Sequence, residues 1–92
     1  MFSNKIENND RIELYSELCD LFELEHKKVY GYWHKSAIDS HVLADMIQKR
    51  IIEKHNFKTI SVNIRCEPPR YFACSFCFED EEEFIIFKLT YL

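Results

Sequence analysis

The sequence predicts an α+β fold in which two N-terminal helices pack on a three-stranded antiparallel β-meander. Two observations carry this expectation. Apolar residues recur at a helical period up to about residue 57, and from Thr59 they alternate at a period of two. The 92 residues, 47% hydrophobic and 15% aromatic, make one globular domain, 1–92, with a helical half 1–57 and a β half 58–92.

The first helix opens at "NNDRIE", where Asp10 can accept from first-turn amides and Glu13 stands at the reciprocal capping-box position. Ile12, Leu14, Tyr15, Leu18, Cys19, Leu21 and Phe22 fall on one half of its wheel, and Asp10, Glu13, Glu17 and Asp20 on the other. The pattern weakens at Leu24 and Glu25, although a helix running on to Tyr30 fits, and Gly31 in "VYGYWH" reads as its cap or a hinge. Ser36 with Asp39 reads as a second capping box, opening a helix to about His55. The stripe of this helix is Leu43, Ala44, Ile47 and Ile51, opposite Asp45, Lys49 and Glu53, with Asn56 as its left-handed terminator.

In the β half, Ile60, Val62, Ile64 and Cys66 alternate with Thr59, Ser61, Asn63 and Arg65, and Pro68 and Pro69 end this strand. Tyr71 to Phe78 predicts a second strand with Phe72, Cys74, Phe76 and Phe78 on one side. Phe84 to Leu92 predicts a third, with Ile85, Phe87, Leu89 and Tyr91 in phase and Phe84, Ile86 and Leu92 apolar on the other side. A terminal strand this apolar invites a partner, so a homodimer is expected.

Charge is arranged in blocks. Residues 1–25 hold seven acids against Lys5 and Arg11; residues 26–78 hold nine Lys/Arg against four acids; residues 79–92 hold five acids against Lys88. The net charge of −4 thus hides an acidic, basic, acidic order. On a continuous helix, the six carboxylates from Asp10 to Glu25 would span ~22 Å, a mean separation of ~4.5 Å, against ~3.4 Å between phosphates on one DNA strand. The string "FEDEEEF" adds Glu79, Asp80, Glu81, Glu82 and Glu83, placed by this reading in a hairpin turn. There they would guard sticky strands and extend the negative surface, although guarding needs only one or two charges.

Catalytic and metal chemistry find little support. No nucleophile elbow, phosphate loop or acid-pair motif occurs. Cys74 and Cys77, three apart on a strand, point to opposite faces, and no second pair completes a zinc site. His26, His34, His41 and His55 share no ligand spacing. The expectation is a protein without enzymatic activity, cofactor or metal. No stretch approaches the ~20 apolar residues of a membrane helix and no leader opens the chain, so a cytoplasmic protein with reduced cysteines is expected. The segment 27–35 combines Tyr30, Tyr32 and Trp33 with Lys27, Lys28 and Lys35, the ingredients of a single-strand nucleic-acid binder.

The short chain, rich in residues with A/T-rich codons and clustered in its acids, resembles the Arn family of T-even phages, DNA-mimicking anti-restriction inhibitors. The resemblance implies a homodimer that presents phosphate-like charge to a host DNA-binding protein. The implied targets are an McrBC-type restriction endonuclease acting on modified cytosines and the nucleoid protein H-NS, with no direct contact to nucleic acid. The acids it would use are Glu13, Glu17, Asp20, Glu79, Asp80, Glu81, Glu82 and Glu83, with Asp10 on the same helix face. An immunity-type inhibitor, acidic without imitating DNA, fits the charge layout equally well.

Overall fold

The computed structural model describes residues 1–24, 39–67 and 71–92. Its elements are β1 (Phe2–Asn8), α1 (Arg11–Leu21), α2 (Ser40–His55), β2 (Ser61–Glu67), β3 (Tyr71–Phe78) and α3 (Glu81–Tyr91). The order β-α-α-β-β-α overturns the expected two helices on a meander. The sheet does have three antiparallel strands, in the order β1-β3-β2, but its third member comes from the N-terminus. The expected third strand, Phe84 to Leu92, is helical instead.

Each departure has a physical reason. In β1 the inward positions are Phe2, Asn4, Ile6 and Asn8, so two of the four are polar and the period-two signal is faint. The strand forms because β3 offers it a full ladder, from Phe2 opposite Phe78 to Asn8 opposite Phe72. The segment "FIIFKLTYL" is apolar apart from Lys88 and Thr90, so its periodicity cannot choose between strand and helix. Strand propensity yields to an N-cap at Asp80, whose side chain accepts from the Glu82 amide at 3.1 Å, and to three acids in the first turn, which complement the helix dipole. In α3, Phe87 faces inward and is fully buried, while Ile85 and Leu89, expected to share its face, point outward.

The helices follow their sequence signals more closely. Asp10 caps α1, accepting from the amides of Ile12 at 2.7 Å and Glu13 at 3.4 Å. The helix ends at Leu21, and Glu23 follows with φ 55°, so Glu23 does not continue the stripe. α2 starts later than the expected capping box: Asp39, expected inside its first turn, is the extended N-cap and accepts from the His41 amide at 2.8 Å. It is closed by Asn56 in the left-handed region at φ 58°. Its stripe of Leu43, Ala44, Ile47 and Ile51 is buried. Cys66, expected on the inner side of its strand, is exposed. The readings made for Glu25, Tyr30, Gly31, Ser36, Pro68, Pro69 and the segment 27–35 lie outside the described residues.

All three helices cover one face of the sheet. Ile6, Val62, Ile64, Cys74, Phe76 and Phe78 lie on that face, packed with Leu14, Leu18, Leu43, Ile47, Ile51 and Phe87 in a single cluster. No polar or charged residue is buried among the described residues. The cluster contains a connected set of rings. Phe87 lies 4.9 Å from Phe76, 5.3 Å from Phe78 and 5.2 Å from Tyr91, and Tyr91 lies 4.9 Å from Phe22. Phe84 extends the set to Phe2 at 5.8 Å.

A polar clamp fixes the start of α3 to the loop after α2. Glu83 accepts from the backbone amides of Lys58 at 3.0 Å and Thr59 at 3.1 Å, and from the Thr59 hydroxyl at 3.0 Å. That hydroxyl oxygen in turn accepts from the Asp80 amide at 3.3 Å. In an ordinary capping box the third helical residue would reach back to the N-cap amide; here Thr59 stands between them as a relay. Glu83→Gln keeps the shape and removes the charge that strengthens three bonds. It is expected to lower unfolding stability by about 1–3 kcal/mol in urea titrations, whereas Glu82→Gln, at an exposed site, should stay within about 0.5 kcal/mol. Equal effects would mean that the clamp contributes nothing.

Candidate anionic interface

Of the nine acids singled out by sequence, several have local structural roles. Asp10 and Asp80 are N-caps. Glu83 is withdrawn into the clamp, and the Glu17 carboxylate accepts from the Asn8 side-chain amide at 3.2 Å. Glu13, Glu17, Asp20, Glu79, Asp80, Glu81 and Glu82 are exposed. Among the described residues, no lysine, arginine or histidine forms an ion pair with any of the nine.

Strand register locates the two groups. Asp10 lies two residues past Asn8, which pairs with Phe72 at the start of β3; Asp80 lies two residues past Phe78, which pairs with Phe2. The two N-caps therefore sit beyond opposite ends of the sheet, ~20 Å apart along the strands. From those ends α1 and α3 run toward each other, and their last turns meet where the Phe22 and Tyr91 rings pack, tilted, with centroids 4.9 Å apart. The α1 acids Glu13, Glu17 and Asp20 occupy ~10 Å of helix axis, and the acids around the start of α3 occupy about one turn.

The junction between the groups carries positive charge. Glu23 pairs with the Arg50 guanidinium at 3.4 Å and the Lys54 ammonium at 3.9 Å, both supplied by α2. Beside them the His55 Nε2 and the Tyr91 hydroxyl are 2.7 Å apart, and the imidazole stacks on Phe57 at 5.0 Å. Burial and the neighbouring Lys54 lower the His55 pKa, while burial raises that of Tyr91. The hydrogen bond between His55 and Tyr91 ties the end of α2 to the end of α3.

Among the described residues, no helix covers the second sheet face. Ser3, Lys5, Ser61, Asn63, Arg65, Ser75 and Cys77 line a shallow concavity of about 520 Å³ on it, and Lys5 pairs with Glu7 at 3.6 Å. Sequence reading placed Ser61, Asn63 and Arg65 on an outer face but, lacking β1, did not find the surface they share with Ser3 and Lys5. All four cysteines are free. Burial pushes the Cys19 and Cys74 thiols up to about 11 and about 12, so both stay un-ionised and poorly nucleophilic at neutral pH. Among the described residues, no cluster of His, Cys, Asp and Glu could hold a metal ion, and no helix is long and apolar enough to cross a membrane.

No protein-family model, curated protein or solved structure matches this chain.

The junction carries a pH dependence of defined sign. Because His55 titrates lower when folded, protonation favours the unfolded chain. Its contribution is complete above the ordinary histidine value of about 6.5 and declines as pH falls through that value toward the folded one. Urea midpoints are expected to fall between pH 7.5 and 5, and less steeply in His55→Gln. Identical slopes in the two proteins would remove His55 as the source.

Proposed function

We propose that this protein acts by binding rather than catalysis, offering its carboxylates to the basic, DNA-contacting surface of another protein and competing with DNA for it. The observation that carries the reading is the exposed cluster Glu79, Asp80, Glu81 and Glu82, which has no cationic partner among the described residues. Four carboxylates on four consecutive residues, two ahead of α3 and two in its first turn, span roughly 8 Å, a density between that of one DNA strand, a phosphate every ~3.4 Å, and the duplex, one every ~1.7 Å. The α1 stripe, three acids over ~10 Å, is sparser and nearer to a single strand. Such a surface gains affinity from the same lysines and arginines that neutralise phosphates, and its field speeds encounter at low salt. It offers no base edges, which suits targets that grip the backbone. The resemblance to phage anti-restriction proteins points to a restriction endonuclease or nucleoid protein as the target class.

The ion-paired Glu23–Arg50–Lys54 cluster at the meeting point of α1 and α3 favours a second reading. With cations at that point, the two acidic groups do not make one uninterrupted phosphate-like track, and a dedicated inhibitor matched to a single basic enzyme would need none.

Competition separates the readings. Against fluorescent duplex DNA held by several unrelated backbone-binding proteins, a mimic is expected to displace the DNA from most of them at low salt and to fade as salt rises. A dedicated inhibitor should displace it from one at most. The variant Glu79→Gln/Glu81→Gln/Glu82→Gln spares the N-cap and the clamp, so it should fold normally and lose several-fold in potency. Failure of the parent protein to displace DNA from any of them would reject the competitive mechanism.

A further inference from the structure

The two edges of the sheet are guarded unequally. Among the described residues no further strand pairs with the outer side of β1 or β2, so each presents a row of backbone groups. α2 lies along β2, and its Gln48 side-chain oxygen accepts from the outward Val62 amide at 3.1 Å. On β1 the outward Lys5 amide donates to the side-chain oxygen of its own neighbour Asn4, at 2.7 Å. Alternation then turns the backbone groups of Ser3, Lys5 and Glu7 to the open side. No proline or bulge interrupts β1, and its seven residues pair with β3 in unbroken register. Such an edge is a template for one more strand.

A helix flank stands beside this edge. The Phe84 ring packs on Phe2 at 5.8 Å, which joins the start of α3 to β1, while Glu83 reaches the other way to the loop before β2. On a wheel of ~100° per residue, Ile85 and Leu92 fall on the side away from Glu83, toward β1. They are 49% and 56% exposed, and Phe2 below them is 38% exposed. Edge and flank together make a groove with hydrogen-bonding groups along one side and aliphatic groups along the other. Charge is uneven along it. Phe2 pairs with Phe78, so the Phe2 end adjoins the acids 79–82, and Glu81 shares the flank of Ile85 and Leu92. Further along that flank the Lys88 ammonium lies over the Phe84 ring at 5.3 Å, so cations are favoured at the Phe2 end alone.

We propose that this groove takes an extended segment of another protein as a further strand, antiparallel to β1, with every second side chain apolar and basic residues at its C-terminal end. The open backbone groups require a strand, the wall on α3 asks for apolar side chains on one of its faces, and the acids fix the basic end. Antiparallel addition, the better-bonded arrangement, brings the C-terminus of the segment to the Phe2 end. A second β1 does not meet these terms, because Asn4 and Asn8 occupy its inward positions. This capture goes beyond the function proposed above and does not rest on it, since it holds whether or not the captured protein binds DNA.

The probe is an eight-residue peptide, acetylated and amidated, that alternates valine and threonine and ends in two arginines, titrated into isotope-labelled protein and followed by amide NMR. Saturable shifts at Ser3, Lys5 and Glu7, with slower exchange of those amides, are expected. A control peptide with prolines at two central positions keeps the charge and should bind at least tenfold more weakly; one with its arginines at the N-terminus should bind several-fold more weakly. Lys5→Pro removes an outward amide without touching the β1–β3 ladder, and Ile85→Ser strips the wall, so each should weaken the probe several-fold with circular dichroism unchanged. Should Lys5→Pro disturb the fold, Ile85→Ser carries the test alone. Absence of saturable shifts at Ser3, Lys5 and Glu7 at millimolar peptide overturns the inference. So does a proline control that binds equally, which would leave only attraction between opposite charges, or a folded variant that binds as the parent does. Tighter binding of the peptide with N-terminal arginines overturns the antiparallel direction.

Discussion

The structure depends on covering one apolar face of a three-stranded sheet with very little chain. Phe76 and Phe78 of β3 stand at the centre of that face, and Phe87 of α3 closes over them at 4.9 and 5.3 Å. Without α3 these two rings would face water, and Phe22 and Tyr91 would lose the contact that joins α1 to the C-terminal helix. A domain of this size buries a smaller share of its surface than a larger one, so a few aromatic contacts carry an unusual part of its stability. Nothing polar is buried among the described residues to share that load.

The run of five acids makes sense in that setting. It stands at the start of the helix that must be held over β3, and its members divide the work. Asp80 caps, Glu81 and Glu82 lie at the positive end of the helix dipole, and Glu83 gathers two amides and a hydroxyl from the loop before β2. Repulsion among them is offset locally, which is why so dense a string is tolerated in a marginal domain. Glu83, withdrawn into the clamp, is the member least free to serve a partner, and a mutational test that included it would confuse folding with binding.

The same helix explains how the domain meets its surroundings. Its inner side is aromatic and seated on the sheet, while its outer side is aliphatic and open. Such a division leaves an acidic group at one end of the molecule, a second along α1, and an apolar strip along the outside of α3. The basic residues of α2 meet the acidic chain ends at Glu23, which neutralises charge where α1 and α3 converge.

Much of this was legible in the residues alone. The caps at Asp10 and Asn56, the buried stripe of α2, and the full extent of β3 follow from local rules, because capping, left-handed termination and period-two alternation are set by a residue and its near neighbours. The unpaired exposure of Glu13, Asp20 and Glu79 was also foreseeable from the wheel and the charge blocks. Other features were decided elsewhere. β1 exists only because β3 supplies its hydrogen bonds, since a strand with asparagine at two of four inward positions has no claim of its own. The segment 84–92 reads equally well as strand or helix. Docking of Phe87 into the ring cluster, begun by the cap at Asp80, selects the helix, and with it whether Leu89 faces the core or the solvent. Local chemistry determined the start of α1, the end of α2 and the span of β3; which of two allowed periods a mostly apolar segment adopts was a choice that only packing against the rest of the chain could make.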